Sequence, residues 1–254
     1  MSVLLAVKNV SINFGGVQAL DGVSFQVIRG ELLCLIGPNG AGKTTLLKAI
    51  LGVVSPQQAR IELNGKEISR LPTHRRIGLG LALTHQIVRP FRSMTLLDNV
   101  AFAAGHRRIR RVYQALCRMD RGAERDRAME LLDLVNISEM AHQPVTGQPL
   151  GVLKRLEVAR ALALEPRLLL LDEPLAGLNH MEAARLADTI VRINGEGLTV
   201  VMIEHNLGEV LRIAQRLVVL DNGRTIAQGS PREVMRQPHV RAAYVGQEQS
   251  DAAA

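Results

Sequence analysis

Residues 37–44 read Gly-Pro-Asn-Gly-Ala-Gly-Lys-Thr, a glycine pattern able to wrap a polyphosphate. The spacing is G-x-x-x-x-G-K-[ST]: Gly37, Asn39, Gly40 and Gly42 lead into Lys43, Thr44 and Thr45. Glycines let the backbone turn tightly enough for successive N–H groups to face phosphate oxygens, and the start of a following helix adds partial positive charge. In such a loop the Lys43 ammonium belongs on the β- and γ-phosphates and the Thr44 hydroxyl on Mg²⁺. The bland alternative is an ordinary glycine-rich turn, against which stands the Lys-Thr pair that closes the loop after an expected buried strand.

A second apolar run ends in acids. In "LLLLDEP", Asp172 and Glu173 fall at the carboxyl end of an expected strand, where open α/β sheets bind ligands. Asp172 can hold Mg²⁺ through water, and Glu173 can serve as general base toward a water beside the γ-phosphate. Alone, acids after a strand also read as caps or loop solubilisers; beside a phosphate loop they read as hydrolytic chemistry.

The elements that must position these groups follow from the hydrophobic pattern. Strand-length apolar runs at Val3 to Val7, Glu31 to Ile36, Leu168 to Leu171, Thr199 to Ile203 and Leu217 to Leu220 alternate with helix-period stretches, the signature of an α/β crossover sheet. From Gln86 to about Pro166 the texture turns to Arg-rich helix, with Met129, Leu132 and Val135 on one face, so a helical lobe is inserted there. The tail 247–254 reads as flexible. At 254 residues and 47% apolar content the chain can build a full core, which excludes a disordered protein. A formal charge of +7 asks for an acidic partner without choosing among nucleotide, nucleic acid and an anionic membrane. Cys34 and Cys117 lack metal-type spacing and read as small core residues in a reducing compartment. Neither a bilayer-length apolar run nor a signal-peptide layout is expected, so membranes would be reached through a partner.

With the phosphate loop and "LLLLDEP" joined by Gln86, by "AGLN" at 176–179 and by His205 after "TVVMIE", the chain resembles an ABC transporter ATPase subunit from about Leu4 to Gly246. Within that family "NFGGVQAL", "LGLALTHQIVRPFRSMTLLDNVAFAA", "IEHN" and "HVRAAYVG" look most like the ATPases of branched-chain amino-acid importers. The resemblance implies an α/β P-loop NTPase fold with a RecA-like core (1–86 and 167–246), a helical subdomain (about 87–166) and an N-terminal antiparallel β portion. It implies ATP and Mg²⁺ as ligands, with Gln86 reaching Mg²⁺ and the lytic water, His205 contacting the γ-phosphate, and Phe14 stacking on adenine or serving the core. Asn179 would face a partner ATPase. The implied partners are membrane permease subunits, a second ATPase subunit and, indirectly, a periplasmic or extracellular substrate-binding protein. The implied place is the cytoplasmic face of the cell membrane, as a peripheral subunit.

One motif departs from the family. Where L-S-G-G-Q or L-S-Y-G-Q is expected before "RLEVARAL", this chain has Gln148, Pro149, Leu150, Gly151 and Val152, so only one glycine matches. In the family this loop opens a helix and offers its Ser hydroxyl and N–H groups to the γ-phosphate held by the opposite subunit. Pro149, at the Ser position, has neither hydroxyl nor N–H. Helix formation should survive, because proline is tolerated in a first turn, with Val152, Leu156, Ala159 and Ala163 as an apolar face and Arg155 and Glu157 outside it. Two further readings stay open. One is an ATP-binding subunit with little hydrolysis of its own, argued by the degraded loop. The other is a nucleic-acid-associated ABC ATPase, suggested by the charge and by the basic run His106 to Arg111, against which stand six aromatic residues for base stacking. Nucleic acid is therefore not expected as a partner.

Overall fold

The computed structural model describes residues 2–84, 88–105 and 122–243. Gln86, the run His106 to Arg111, Cys117 and the tail 247–254 lie outside the described residues. Strands β1 (Val3–Phe14) and β2 (Val17–Ile28) form an antiparallel hairpin. Next come β3 (Leu32–Ile36), α1 (Lys43–Leu51), β4 (Gln58–Leu63), β5 (Lys66–Glu67), α2 (Thr73–Gly78) and β6 (Leu81–Thr84). Helices α3 (Leu96–Ala104), α4 (Gly122–Leu134) and α5 (Leu150–Leu162) follow. The chain then runs through β7 (Leu168–Asp172), α6 (His180–Gly195), β8 (Thr199–Ile203), α7 (Leu207–Ile213), β9 (Arg216–Asp221), β10 (Arg224–Gly229) and α8 (Pro231–Met235).

Among the described residues the strands make two sheets. One is antiparallel, in the order β2-β1-β4-β5; the other runs β10-β9-β3-β8-β7-β6, parallel from β9 to β6 with β10 antiparallel at its edge. The central strands β3, β7 and β8 are buried along their whole length, which is why they read as unbroken apolar runs. Their period of two sorts side chains into two cores. Leu32, Cys34 and Ile36 join Leu169, Leu171, Val200 and Met202 on the face that packs α3 to α6. Leu33 and Leu35 join Leu168, Leu170, Val201 and Ile203 on the face that packs α1 and the antiparallel sheet. Each buried leucine or isoleucine contributes about 1.5–3 kcal/mol relative to exposure.

The structure differs from the sequence reading in three respects. Strand β1 runs to Phe14, well past Val7, because the hairpin with β2 keeps it paired to the Phe14↔Val17 position. Strands β2, β4, β6 and β10 carry polar or charged residues in alternation or are short, and the apolar-run criterion passed over them. Glu157 is corrected from an outward position to a buried one: its Oε1 accepts from Arg160 Nη1 at 2.7 Å and from the Arg89 N–H at 3.3 Å, partners that make burial tolerable. Among the described residues, no helix is long and apolar enough to cross a membrane.

Candidate functional site

The phosphate loop is pressed between neighbouring strands. At Gly37, where φ is +145°, a Cβ would lie 2.0 Å from the Leu220 carbonyl oxygen of β9. At Gly42, with φ at +95°, it would lie 2.5 Å from the carbonyl oxygen of Ala19 on β2. No side chain fits at either point, so the glycines are required by packing as well as by backbone conformation. Gly42 is the N-cap of α1; no side chain caps that helix start and no acid stands in its first turn. The first N–H groups of a helix lack intrahelical partners, so this end suits an anion. Asn39 and Gly40 lie exposed at the tip of the loop, and Thr45 is half-buried in the first turn.

Lys43 is buried, and its Nζ donates to the carbonyl oxygens of Gly37 and Pro38, both at 2.8 Å. Burial pulls its pKa below the ordinary lysine range, with Glu173 and Asp172 acting the other way. The Thr44 hydroxyl donates to Asp172 Oδ1 at 3.2 Å, bridging α1 to the end of β7. Asp172 is itself buried.

Glu173 follows with a left-handed φ of +50°, rare for a non-glycine residue. Several bonds hold it there. Its N–H donates to the Ile203 carbonyl at 3.0 Å, its own carbonyl accepts from Lys154 Nζ at 2.9 Å and from the Ala176 N–H at 3.3 Å, and its Oε1 lies 2.9 Å from His205 Nε2. His205 stands at the end of β8, half in solvent, while the Glu173 carboxyl is mostly covered. Beneath them lies Glu204, buried, whose Oε1 accepts from the Leu175 N–H at 2.6 Å and whose Oε2 accepts from the His205 N–H at 3.2 Å. Burial pushes the Glu204 carboxyl up to about 7, opposed by those two backbone donors.

The structure thus gathers Gly37 to Thr45, Asp172, Glu173 and His205 at the carboxyl ends of β3, β7 and β8. Phe14 sits at the end of β1 with its ring half-exposed, in the hairpin whose second strand supplies Ala19 against Gly42. Gln86 lies outside the described residues. Lys154 and Glu204 belong to the same constellation and were not singled out in the sequence. The available signal was an acid ending the apolar "VVMIE" run and a lysine within a helix otherwise rich in buried positions.

The loop at 148–152 lies apart in chemistry. Pro149 is the N-cap of α5, at φ −59° and ψ 152°, with no side-chain cap. The N–H groups of Val152 and Leu153 make the ordinary first-turn bonds to the Pro149 carbonyl, both at 3.1 Å. Gln148 points back into the lobe, its Nε2 donating to Gln143 Oε1 and the Pro144 carbonyl, both at 3.0 Å. Leu150 stays exposed over the "AGLN" loop, where a Cβ on Gly177 would come 2.8 Å from Leu150 Cδ2. A Cβ on Gly151 would come 2.8 Å from Glu182 Oε1, so a carboxylate of the same chain already lies against this helix start. Asn179 spends its side chain as N-cap of α6, accepting from the Glu182 N–H at 2.9 Å.

The sequence pattern of the ABC transporter family matches residues 20–176, and that described as branched-chain amino acid ATP-binding cassette transporter matches residues 224–249. The chain is 36% identical over 252 residues to the high-affinity branched-chain amino acid transport ATP-binding protein BraF of Pseudomonas aeruginosa, covering 96% of this chain and 98% of that protein. It is 33% identical over 250 residues to LivG of Escherichia coli K12, a protein of the same description, with 96% and 98% covered. Among solved structures, an ATP-binding cassette of an ABC transporter in its ADP conformation superposes with a TM-score of 0.85 at 28% identity, covering 97% of this chain and all of the other.

Proposed function

This chain belongs to the ABC transporter family, and from that premise we propose that it is the ATP-binding and hydrolysing subunit of an importer for branched-chain or related amino acids. It works at the cytoplasmic face of the membrane against permease subunits that receive substrate from a binding protein outside. The observation that carries this reading is the bridge from Thr44 to Asp172 at 3.2 Å beside the glycine loop, with Glu173 and His205 next to it.

Those groups fit Mg²⁺ and a triphosphate. Mg²⁺ favours oxygen donors and usually takes one or two protein ligands, leaving the rest to phosphates and water. Thr44 Oγ1 and Asp172 are such donors, with Gln86 as a further ligand implied by the family. When bound, the ion neutralises charge on the phosphates. Lys43 and the first N–H groups of α1 hold the phosphate chain, Glu173 accepts the proton of the attacking water, and His205 steadies the Glu173 carboxyl and contacts the γ-phosphate.

The loop at 148–152 supports pairing with a different ATPase subunit. In the family each site joins one subunit's phosphate loop to the other's signature loop, so a spoiled loop injures the partner's site and spares this chain's own. The working site then uses this chain's catalytic groups with an intact loop from the partner; the opposite site holds ATP as a clamp. Nucleotide affinity measured with a fluorescent ATP analogue tests the assignment. Lys43→Ala should weaken binding by about tenfold to a hundredfold, the weight of a hydrogen-bonded charge at a phosphate. Unchanged affinity would refute it.

A further inference from the structure

We propose that Lys154 is a positioning residue for hydrolysis: it fixes the backbone of Glu173 and so ties the helix opened by the spoiled loop to this chain's own general base. The proposal rests on the ATPase reading and extends it to a residue that no motif assigns. Lys154 lies one turn into α5, four residues after Leu150, and is 4% exposed. An ammonium is costly to bury unless hydrogen-bonded and offset by opposite charge, and a methionine would fill similar space without that cost. What lysine adds is a directed donor, and its Nζ reaches the Glu173 carbonyl oxygen at 2.9 Å. The charges of Glu204, Glu173, Asp172 and Glu157 surround it.

The bond acts where the backbone needs it. Glu173 is held at φ +50°, a conformation that persists in a glutamate only when its surroundings over-determine it. The carbonyl bond from Lys154 and the N–H bond to Ile203 clamp the two sides of this residue, and the clamp aims the carboxyl toward His205. Glu204 continues the support by accepting from the Leu175 N–H, two residues further along the same turn. A shift of α5 is therefore transmitted through one buried side chain to the base. The first turn of α5 is the 148–152 loop itself, so the end of the helix that meets the partner subunit and the base of this subunit move as one.

The test compares K154M and K154R with the unsubstituted full chain, the 148–152 loop being rebuilt in all three (Gln148→Leu, Pro149→Ser, Leu150→Tyr and Val152→Gln) because the chain alone turns over slowly on this reading, by ATP turnover, by nucleotide affinity, and by hydrogen exchange of the nucleotide-free protein across residues 173–178. A small misplacement of a catalytic group can cost about 10²-fold, so K154M is expected to lose about tenfold to a hundredfold in turnover while nucleotide affinity changes less than about twofold. Exchange across 173–178 should accelerate in K154M. K154R, which restores a donor and the charge, should recover most of the turnover and the protection. Turnover within about twofold of the unsubstituted chain in K154M, affinity falling in step with turnover, or no recovery in K154R would overturn the proposal. An unsubstituted chain that neither binds nor hydrolyses ATP would refute the ATPase reading instead; the exchange measurement would still decide for or against Lys154. If K154M does not fold, K154Q, whose shorter side chain cannot reach the carbonyl, takes its place with the same expectations.

Discussion

Two loops of this chain open uncapped helices, and they differ in what stands against the helix start. The phosphate loop gives its N-cap to a glycine in a left-handed conformation and leaves the start of α1 without a side-chain cap or an acid. The 148–152 loop gives its N-cap to Pro149, likewise without a side-chain cap or a first-turn acid, but sets the Glu182 carboxylate of the same chain beside Gly151. Both helices form, and both pack into the core. The difference teaches that folding a helix and offering its N-terminus to phosphate are separable requirements: α5 forms as readily as α1, but a carboxylate of the same chain lies against its start.

The largest effect should come from removing the proposed proton acceptor, Glu173. In the chain with its 148–152 loop rebuilt, where turnover is measurable on this reading, Glu173→Gln is expected to keep nucleotide affinity and lower turnover by about 10² to 10⁴, the usual weight of a general base. Steady-state phosphate release beside a binding titration checks this, and near-normal turnover would move the role to another residue.

The helix behind the phosphate loop can be weakened from its far end. Arg76 is buried and donates to the carbonyls of Leu71, Ala49, Ile50 and Ser69 at 2.7–2.8 Å, capping the C-terminus of α1 against Gly52. Arg76→Met should cost about 3 kcal/mol of stability, because several buried carbonyls lose their donor at once; chemical denaturation reads it. No equivalent loss is expected from Pro149→Ser, which exchanges one tolerated helix start for another.

A pH dependence marks the catalytic side as well. Native Glu204 keeps its proton up to about 7, whereas the unfolded chain releases it near 4.5. Its contribution to stability is therefore complete below pH 4.5 and is lost as pH rises through 7, where the charge has to be buried. Urea unfolding between pH 5 and 8 should show that decline in the wild type and a flatter profile in Glu204→Gln. A decline of equal slope in both would place its origin elsewhere.

The smallest effect belongs to the loop that faces the spoiled one. Asn179→Ala removes the capping box of α6 and should cost about 1 kcal/mol of stability, seen as a small shift in denaturation midpoint. Because its side chain is engaged in its own helix, turnover of the isolated chain should not change with it.

How much of this was legible in the sequence differs between the two halves of the site. Strands β3, β7, β8 and β9 announced themselves because full burial on both faces leaves unbroken apolar runs. The phosphate loop did so because its geometry admits only glycine at Gly37 and Gly42. Strand β2 was not legible, since one face alternates polar residues that pair in a hairpin. Buried charges left no periodic trace: Glu157 looked like a surface residue until Arg160 and the Arg89 N–H appeared beside it, and Lys154, Glu204 and Arg76 take their meaning from carbonyls and amides far away in sequence. The degraded loop was legible as an absence. What the sequence could not tell was that Leu150 and Gly151 had found in-chain neighbours, Gly177 and Glu182.

The account's central claim is that this chain carries a competent catalytic half and an incompetent loop for its partner. Steady-state ATPase of the purified chain alone tests it most directly, before and after rebuilding the loop with Gln148→Leu, Pro149→Ser, Leu150→Tyr and Val152→Gln together. The account predicts slow hydrolysis by the unmodified chain and an increase of about 10² to 10³ in the rebuilt one, the scale of restoring donors to transition-state charge. Brisk hydrolysis by the unmodified chain alone, unchanged by the rebuilding, would contradict it.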